Sequence, residues 1–483
     1  MRPTVSIFLA VAFVVSGARL ASQDTPAAEQ HAEKAIAFVQ RGDLKSAESE
    51  LRKAVELSPS DSNLLTSLGG VLGMEGNLQE ANTFLAKAVK LNPQDAASRR
   101  NLAANEWQLG RLKEAHENLD LLLRANPQDK LAAYLMGMVS DREKAYARSI
   151  KLLESVRDVI AQQRDGWAAL ADAYYHTGRT ENARAALQHL LSPAPNPKAA
   201  FLGGKIAAEP QDYSTAEALF RSIRSTYPDR GALELEIALA QYQAGHQAES
   251  EKTLLDAVNA NQATSEAYVL LCTMVSERGA NLNALTVANR GAQVFPESSE
   301  VMFLKGTIEF KLQYFNDAIA SYEKAAKLKD SGGARRGLAS ALWKAGQRER
   351  AASAFEQAIH QFPNDARTYQ VYGTLLLEDG APENRAHAVD LLKRALALDD
   401  SAVDPRYELA NLELTDGHAE QAREYLEKAI ELAPKNSRLH FALSRAYRRL
   451  GREADANKEM ETYQKLKAAE PGGKSDSDGG LQP

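Results

Sequence analysis

Eight prolines recur along the chain at intervals close to 34 residues or to twice that number. They are Pro59, Pro93, Pro127, Pro195, Pro228, Pro296, Pro363 and Pro434. Proline cannot continue a helix, so this spacing places helix ends at regular intervals. Units laid on this register, with small insertions and deletions, start at residues 28, 62, 96, 130, 164, 197, 231, 265, 299, 332, 366, 403 and 437. The chain is therefore predicted to be an array of thirteen similar units, each packed on its neighbours.

Four other positions within the unit accept only certain residue types. Positions 8 and 20 hold only Ala, Gly, Ser or Cys, and position 24 is apolar throughout. Position 15 is Gly in ten units, the exceptions being Lys144, Gln211 and Gln313. Small residues allow two helices to cross closely, and Gly tolerates the left-handed conformation that ends a helix. Each unit is thus predicted to be two amphipathic helices joined by a tight turn.

These positions resemble those of the tetratricopeptide repeat family, whose units carry W-x2-L-G-x2-Y, then A-x3-F, then P. The unit that starts at residue 164 matches with Trp167, Leu170, Ala171, Tyr174, Gly178, Ala183, Leu187 and Pro195. The resemblance covers residues 28–470 and implies an all-α fold, a right-handed superhelical solenoid of tandem antiparallel helix pairs. Two units depart from the pattern, at residues 130–163 and at a three-residue insertion near 380–384. Each departure is either a bend in the array or a tolerated variation of a loop, and we favour loop variation.

The two ends of the chain differ from the array. Arg2 precedes an apolar stretch from Val5 to Val15, which small residues follow at 16–18. This layout is typical of a secretory signal peptide, predicted at residues 1–22, and it predicts an exported bacterial protein that is periplasmic, extracellular or associated with the envelope. The alternative is a retained anchor, although a membrane-spanning helix needs about 20 apolar residues. Residues 471–483 are polar and rich in glycine, and they are predicted to be a disordered tail.

The family resemblance implies that positions 2, 5, 9 and 12 of each first helix line a concave groove. Ten of the twenty-six residues at positions 5 and 12 are aromatic, against 7% in the whole chain. Two interpretations stay open: they bind a partner peptide or helix, or they complete the core between neighbouring first helices. On the first, truncating Trp107 or Trp343 should weaken binding without unfolding the array. The ten are Trp107, Tyr134, Tyr175, Phe201, Tyr242, Phe303, Phe310, Trp343, Tyr407 and Phe441.

Basic residues cluster in the last unit, where an acidic partner segment is one interpretation and a solvated helix face is the other. This basic patch consists of Arg438, Arg445, Arg448, Arg449 and Arg452. A second basic cluster, open to the same two interpretations, consists of Arg335, Arg336, Lys344, Arg348 and Arg350.

No motif in the chain indicates catalysis, and no cofactor or metal site is predicted. The nine histidines have no paired metal spacing, and phosphate-loop and nucleophile-elbow motifs are absent. Cys272, the single cysteine, occupies position 8 and is interpreted as packing. A net charge of −6 gives no general attraction to nucleic acid.

These observations favour a non-catalytic scaffold that binds a protein or peptide partner in the groove. Exported proteins similar to this one often take part in envelope assembly or secretion, including polysaccharide export. The alternative is a module that binds or guides a polysaccharide, because aromatic residues also stack on sugars. Neither function involves nucleic acid or stable membrane insertion after cleavage of the signal.

Overall fold

The computed structural model describes residues 26–162, 164–191 and 196–469, and within them it is all-helical. The chain divides into two compact units, Met1–Ala257 and Val258–Pro483. The predicted signal peptide at 1–22 and the predicted tail at 471–483 lie outside the described residues. None of the described helices combines the length and the apolar character needed to cross a lipid bilayer.

The first unit consists of helix pairs, one of which carries an additional short helix, and its last helix runs two residues past the unit boundary. The helices are α1 (Pro26–Gln40), α2 (Leu44–Leu57), α3 (Ser62–Met74), α4 (Leu78–Leu91), α5 (Ala96–Gln108), α6 (Leu112–Ala125), α7 (Lys130–Arg142), α8 (Tyr146–Ser155), α9 (Arg157–Ile160), α10 (Arg164–His176), α11 (Thr180–Leu191), α12 (Pro197–Ala208), α13 (Tyr213–Ser222), α14 (Arg230–Gln243) and α15 (Gln247–Asn259).

The second unit continues with helix pairs, and a short 3₁₀ helix, Pro382–Asn384, accommodates the insertion predicted near 380–384. Its α-helices are α16 (Ser265–Glu277), α17 (Asn281–Val294), α18 (Ser299–Lys311), α19 (Phe315–Leu328), α20 (Gly332–Lys344), α21 (Arg348–Gln361), α22 (Ala366–Asp379), α23 (Arg385–Leu398), α24 (Val403–Asp416), α25 (Ala419–Leu432), α26 (Ser437–Arg449) and α27 (Glu453–Ala469). The prediction of an all-α solenoid of tandem helix pairs is confirmed.

Positions 8 and 24, where the sequence accepts only small and only apolar residues respectively, meet where the two helices of a pair cross. A Cβ atom built on Gly69, at position 8, would lie 2.6 Å from Cγ of Leu85, at position 24. The same pair of positions gives 2.7 Å between Gly137 and Leu153. Glycine at these two crossings therefore leaves room for the leucine side chain, which a Cβ atom would force to shift.

In the turn between the two helices of a pair, the residue at position 15 adopts the left-handed backbone conformation. Ten glycines there have φ between 72° and 88°, as a residue without Cβ permits. Lys144, Gln211 and Gln313, the three exceptions in the sequence, adopt the same conformation, with φ of 61°, 70° and 63°. The turn geometry is thus kept even where the sequence does not supply glycine.

Candidate binding site on the first helices

A cavity of about 540 Å³ lies within the first compact unit and is lined by residues of α5, α7, α10 and α12 and the residue after α12. These are the first helices of four successive pairs. Eight of the lining residues occupy positions 2, 5, 9 and 12, so we call this surface the 2-5-9-12 face. The lining consists of Trp107, Met138, Asp141, Arg142, Asp165, Ala168, Ala169, Asp172, Leu202, Lys205, Ile206, Ala208 and Glu209.

The apolar part of the cavity comes from small and aliphatic side chains. Met138, Ala168 and Ala169 are buried, whereas Leu202 and Ile206 are half-buried and contribute accessible apolar surface. These residues follow one another on neighbouring helices because α10 packs against both α7 and α12. The cavity therefore offers an apolar floor to any ligand that enters it.

Four carboxylates surround this floor. Asp141 and Asp172 are mostly buried, with 8% and 6% of their surface exposed, and Asp165 is half-buried. Burial raises the pKa of Asp165 to about 6, because the ionised carboxylate loses hydration there. Glu209, just beyond the end of α12, is exposed.

Two basic residues also line the cavity, and each has a contact of its own. The Lys205 ammonium lies 2.8 Å from a carboxylate oxygen of Glu236, which is not among the lining residues. The guanidinium carbon of Arg142 lies 5.1 Å from the ring centre of Trp107, a cation–π distance. The lining thus contains four carboxyl groups and two basic groups, of which Lys205 is paired with Glu236 and Asp172 lies 3.7 Å from Nδ1 of His176.

Trp107 is the one predicted aromatic residue that lines this cavity. It ends the 2-5-9-12 face of α5 at position 12, and only 4% of it is exposed. Its indole Nε1–H is buried and has no acceptor in the described part of the chain. Because a buried N–H without an acceptor costs free energy, this donor is unusual in a folded protein.

The other nine predicted aromatic residues divide by burial. Tyr134, Tyr175 and Trp343 are buried, and Phe201, Tyr242, Phe303, Phe310 and Tyr407 are half-buried. Phe441 is exposed at 41%. The Tyr175 hydroxyl donates to Oδ2 of Asp212 at 2.8 Å, which fixes it within the fold. The structure does not bring the nine together with Trp107 in one cavity.

Burial changes what a truncation at these positions would do. Trp107 and Trp343 are each only 4% exposed, so their replacement by Ala would leave a void in the packing. Such changes usually cost about 3–5 kcal/mol of stability. Truncation of Trp107 or Trp343 is therefore expected to lower the stability of the array in addition to any effect on binding.

The acidic residues of the cavity were missed by the sequence analysis, although a signal was present. Asp165, Asp172 and Asp141 stand at positions 2, 9 and 12 of their units, which are positions predicted to face the groove. Only the aromatic residues at positions 5 and 12 were considered. What the sequence did not show is that these carboxylates surround one cavity.

The predicted basic patch forms a stripe on α26. Arg438, Phe441, Arg445 and Arg448 occupy positions 2, 5, 9 and 12, and all four are exposed. Arg438 is ion-paired with Asp404 and its guanidinium lies 4.6 Å from the Tyr407 ring centre.

The remaining members of the basic patch differ in their pairing. Arg452 pairs with Asp455 at 2.7 Å and lies over the Tyr447 ring. Arg445, Arg448 and Arg449 are exposed and make no ion pair within the described residues. These three arginines are therefore available to an anionic ligand.

The second basic cluster is neutralised by acidic partners. Each of its five residues forms an ion pair: Arg335 with Asp330, Arg336 with Asp365, Lys344 with Glu378, Arg348 with Asp379 and Arg350 with Glu323. These contacts explain the cluster as part of the fold.

The described residues include no group of three or more His, Cys, Asp or Glu side chains placed to hold a metal ion. Cys272 is buried, and its Sγ lies 3.6 Å from the carbonyl oxygen of Ala284, at position 20 of the same unit. Burial raises the pKa of this thiol to about 12, which keeps it protonated and unreactive near neutral pH. The side chain thus serves packing between paired helices.

Protein-family models match the chain in four stretches. Residues 34–279, half of the chain, match a model described as the second ARM domain of tetratricopeptide repeat protein 21. Residues 299–331, 332–375 and 413–471 each match a model described as a tetratricopeptide repeat. No curated protein matches the chain.

Solved structures of helical-repeat proteins are similar to it at low sequence identity. Yeast Tom70 is 14% identical with a TM-score of 0.44, and the match covers 91% of this chain and 92% of Tom70. In the APC/C hetero-tetramer Cut9–Hcn1, the matched chain is 18% identical, with a TM-score of 0.37 and coverage of 91% and 87%. PilF of Pseudomonas aeruginosa is 23% identical, with a TM-score of 0.37 and coverage of 45% and 97%. These likenesses concern the fold alone.

Proposed function

The chain belongs to the tetratricopeptide repeat family, and from this premise we propose that it is a non-catalytic scaffold that binds a segment of a partner protein. The binding surface is the 2-5-9-12 face of α5, α7, α10 and α12. The observation that carries the proposal is the cavity of about 540 Å³ on this face. Its volume lies within the range of about 300–1,000 Å³ that is usual for ligand sites.

The form of the cavity favours an extended or helical segment over a compact small molecule. Its lining comes from four successive first helices, so a ligand that fills it crosses several repeats. Half-buried Leu202 and Ile206 offer apolar contacts, while the half-buried carboxyl group of Asp165 offers a polar contact. Apolar anchors combined with polar contacts are the usual composition of peptide-recognition grooves.

We place this scaffold outside the cytoplasm of a bacterium, in envelope assembly or secretion. The support is the basic residue, apolar stretch and small residues within 1–22, which are typical of an export signal. The test is N-terminal sequencing of the protein recovered from its native host by osmotic shock. A chain that begins within about ten residues of Ala18 supports export with cleavage, and an intact Met1 in the cytoplasmic fraction contradicts it.

A protein ligand is favoured over a polysaccharide by the burial of the aromatic residues. Stacking on a sugar ring requires an accessible aromatic face. Of the ten predicted aromatic residues, Phe441 alone is exposed, and Trp107 in the cavity is 4% exposed. The polysaccharide alternative consequently has little surface to act through at these positions.

Photo-crosslinking tests where a partner binds. A benzophenone amino acid replaces Ala208, a half-buried residue that lines the cavity, and the control carries it at Leu121, which is 51% exposed on α6. We expect a discrete adduct from Ala208 in cells of the native host and none from Leu121. Equal adducts from both positions, or none from Ala208, would count against the cavity as the binding site.

A further inference from the structure

We infer that exposed arginines on α26 bind an acidic helix of a partner protein, which docks beside α26 in the place where a further repeat would pack. This surface belongs to the second compact unit, so the inference is independent of the cavity in the first unit. Arg445, Arg448 and Arg449, which we call the arginine stripe, are exposed and form no ion pair within the described residues.

Cations at the same positions of other first helices are neutralised by the following repeat. Lys205, at position 9 of α12, lies 2.8 Å from a carboxylate oxygen of Glu236 on α14. Lys344, at position 13 of α20, lies 2.8 Å from a carboxylate oxygen of Glu378 on α22. In both cases the carboxylate comes from the first helix of the next pair along the chain.

The arginine stripe has no such neighbour. Arg445 and Arg449 occupy positions 9 and 13 of α26, the positions that Lys205 and Lys344 occupy in their own repeats. Within the described part of the chain, α27 is the last helix, so no further first helix supplies carboxylates. A partner helix in that place would supply them, and arginine binds a carboxylate through two parallel hydrogen bonds.

Phe441 supplies an independent indication that this face accepts a helix. It occupies position 5 of α26 and is 41% exposed, whereas Phe303, at position 5 of α18, is half-buried. The next first helix approaches Phe303 closely, since a Cβ atom built on Gly333 would lie 3.6 Å from its ring. One side of the Phe441 ring packs on Tyr463, at 5.2 Å between ring centres. The exposed remainder offers an apolar contact to a docked helix.

The intramolecular contacts also predict the spacing of residues on the partner helix. Gly333, Glu236 and Glu378 stand at positions 2, 6 and 13 of their repeats. A partner helix that reproduces all three contacts carries a small or apolar residue, then acidic residues four and eleven positions later. These positions share one helix face, because a helix turns once in 3.6 residues.

Selection of displayed helices tests the inference without knowledge of the natural partner. A phage library presents one helix of a small three-helix scaffold with its outer face randomised. It is first depleted on an arginine variant, in which Gln replaces all three arginines of the stripe, and is then selected on the full-length protein at pH 7.5 and low ionic strength. The matched control variant combines Arg41→Gln, Arg179→Gln and Arg394→Gln, three exposed arginines outside the stripe. Circular dichroism verifies that each variant is folded.

We expect the selected helices to be enriched in acidic residues seven positions apart. Their binding should weaken about tenfold in the arginine variant, as the loss of up to three exposed ion pairs implies, and should be unchanged in the control variant. Phe441→Ala should also weaken it. Selection of no helix that depends on the stripe, or of helices without acidic enrichment, would overturn the inference.

Two other occupants give different results. Single-stranded DNA that binds more tightly than the selected helices, and only when the stripe is intact, would overturn the inference in favour of nucleic acid. Self-association of the unmodified chain in sedimentation velocity, absent from the arginine variant, would overturn it in favour of a second copy. None of these outcomes changes the crosslink expected from Ala208, so the proposed function is tested separately.

Discussion

Replacement of Gln313 by Gly is expected to stabilise the protein by about 0.5–1 kcal/mol. Gln313 ends the first helix of its pair with φ of 63°, a conformation that costs an L-residue about 1–2 kcal/mol. Glycine avoids that cost but loses about 0.5–1 kcal/mol through its more flexible unfolded state, which leaves a net gain. The Gln313 side chain is exposed and is not required for packing.

The matched control makes the same substitution at Gln347, where φ is −86°. Glycine gains nothing at this angle, so Gln347→Gly should leave stability unchanged or lower it. Because stability in a repeat array is local, hydrogen exchange of α18 and α19 is the primary assay, supported by urea unfolding of the full chain. Slower exchange in α18 and α19 of Gln313→Gly is the expected result. If Gln313→Gly destabilised the protein as much as Gln347→Gly, the argument from backbone conformation would be refuted.

Three further predictions follow from particular contacts. Gly204→Ala should cost about 1–3 kcal/mol in urea unfolding, because its Cβ would lie 2.4 Å from the buried Phe220 ring, whereas Gly70→Ala, with no atom closer than 3.9 Å, should be neutral or stabilising. The pKa of Asp165 is raised from 3.8 to about 6, so the fold loses stability as pH rises through this range; Asp165→Asn should raise the Tm at pH 7.5 and have little effect at pH 4. Arg448→Glu should weaken salt-sensitive binding of a polyglutamate peptide, measured by fluorescence anisotropy, since Arg448 is exposed and makes no ion pair within the described residues.

The sequence predicted the pairing of helices because that pairing depends on local and strictly repeated contacts. Position 8 meets position 24 of the same unit, as Gly69 meets Leu85, so the required residue types recur every 34 residues. The left-handed turn was predicted at ten glycines, and it also occurs at Lys144, Gln211 and Gln313. The departure at 130–163 was noticed, but its consequence was not: α8 ends at Ser155, and a four-residue helix, Arg157–Ile160, follows.

The candidate site was less predictable because its properties arise between repeats. Tyr134 shows the reason: a Cβ on Gly166, which belongs to the next first helix, would lie 2.8 Å from the Tyr134 ring. The absence of a side chain at residue 166 lets the backbone close over Tyr134, and a residue that looked like a groove aromatic becomes core. The neighbouring Asp165 is left half-buried beside the cavity, with a raised pKa. Gly166, in the neighbouring unit, thus allows the burial of Tyr134, which had been predicted to bind a ligand. It also lies next to Asp165, the acidic residue that is half-buried. A prediction that considers each position separately does not include these contacts between neighbouring repeats.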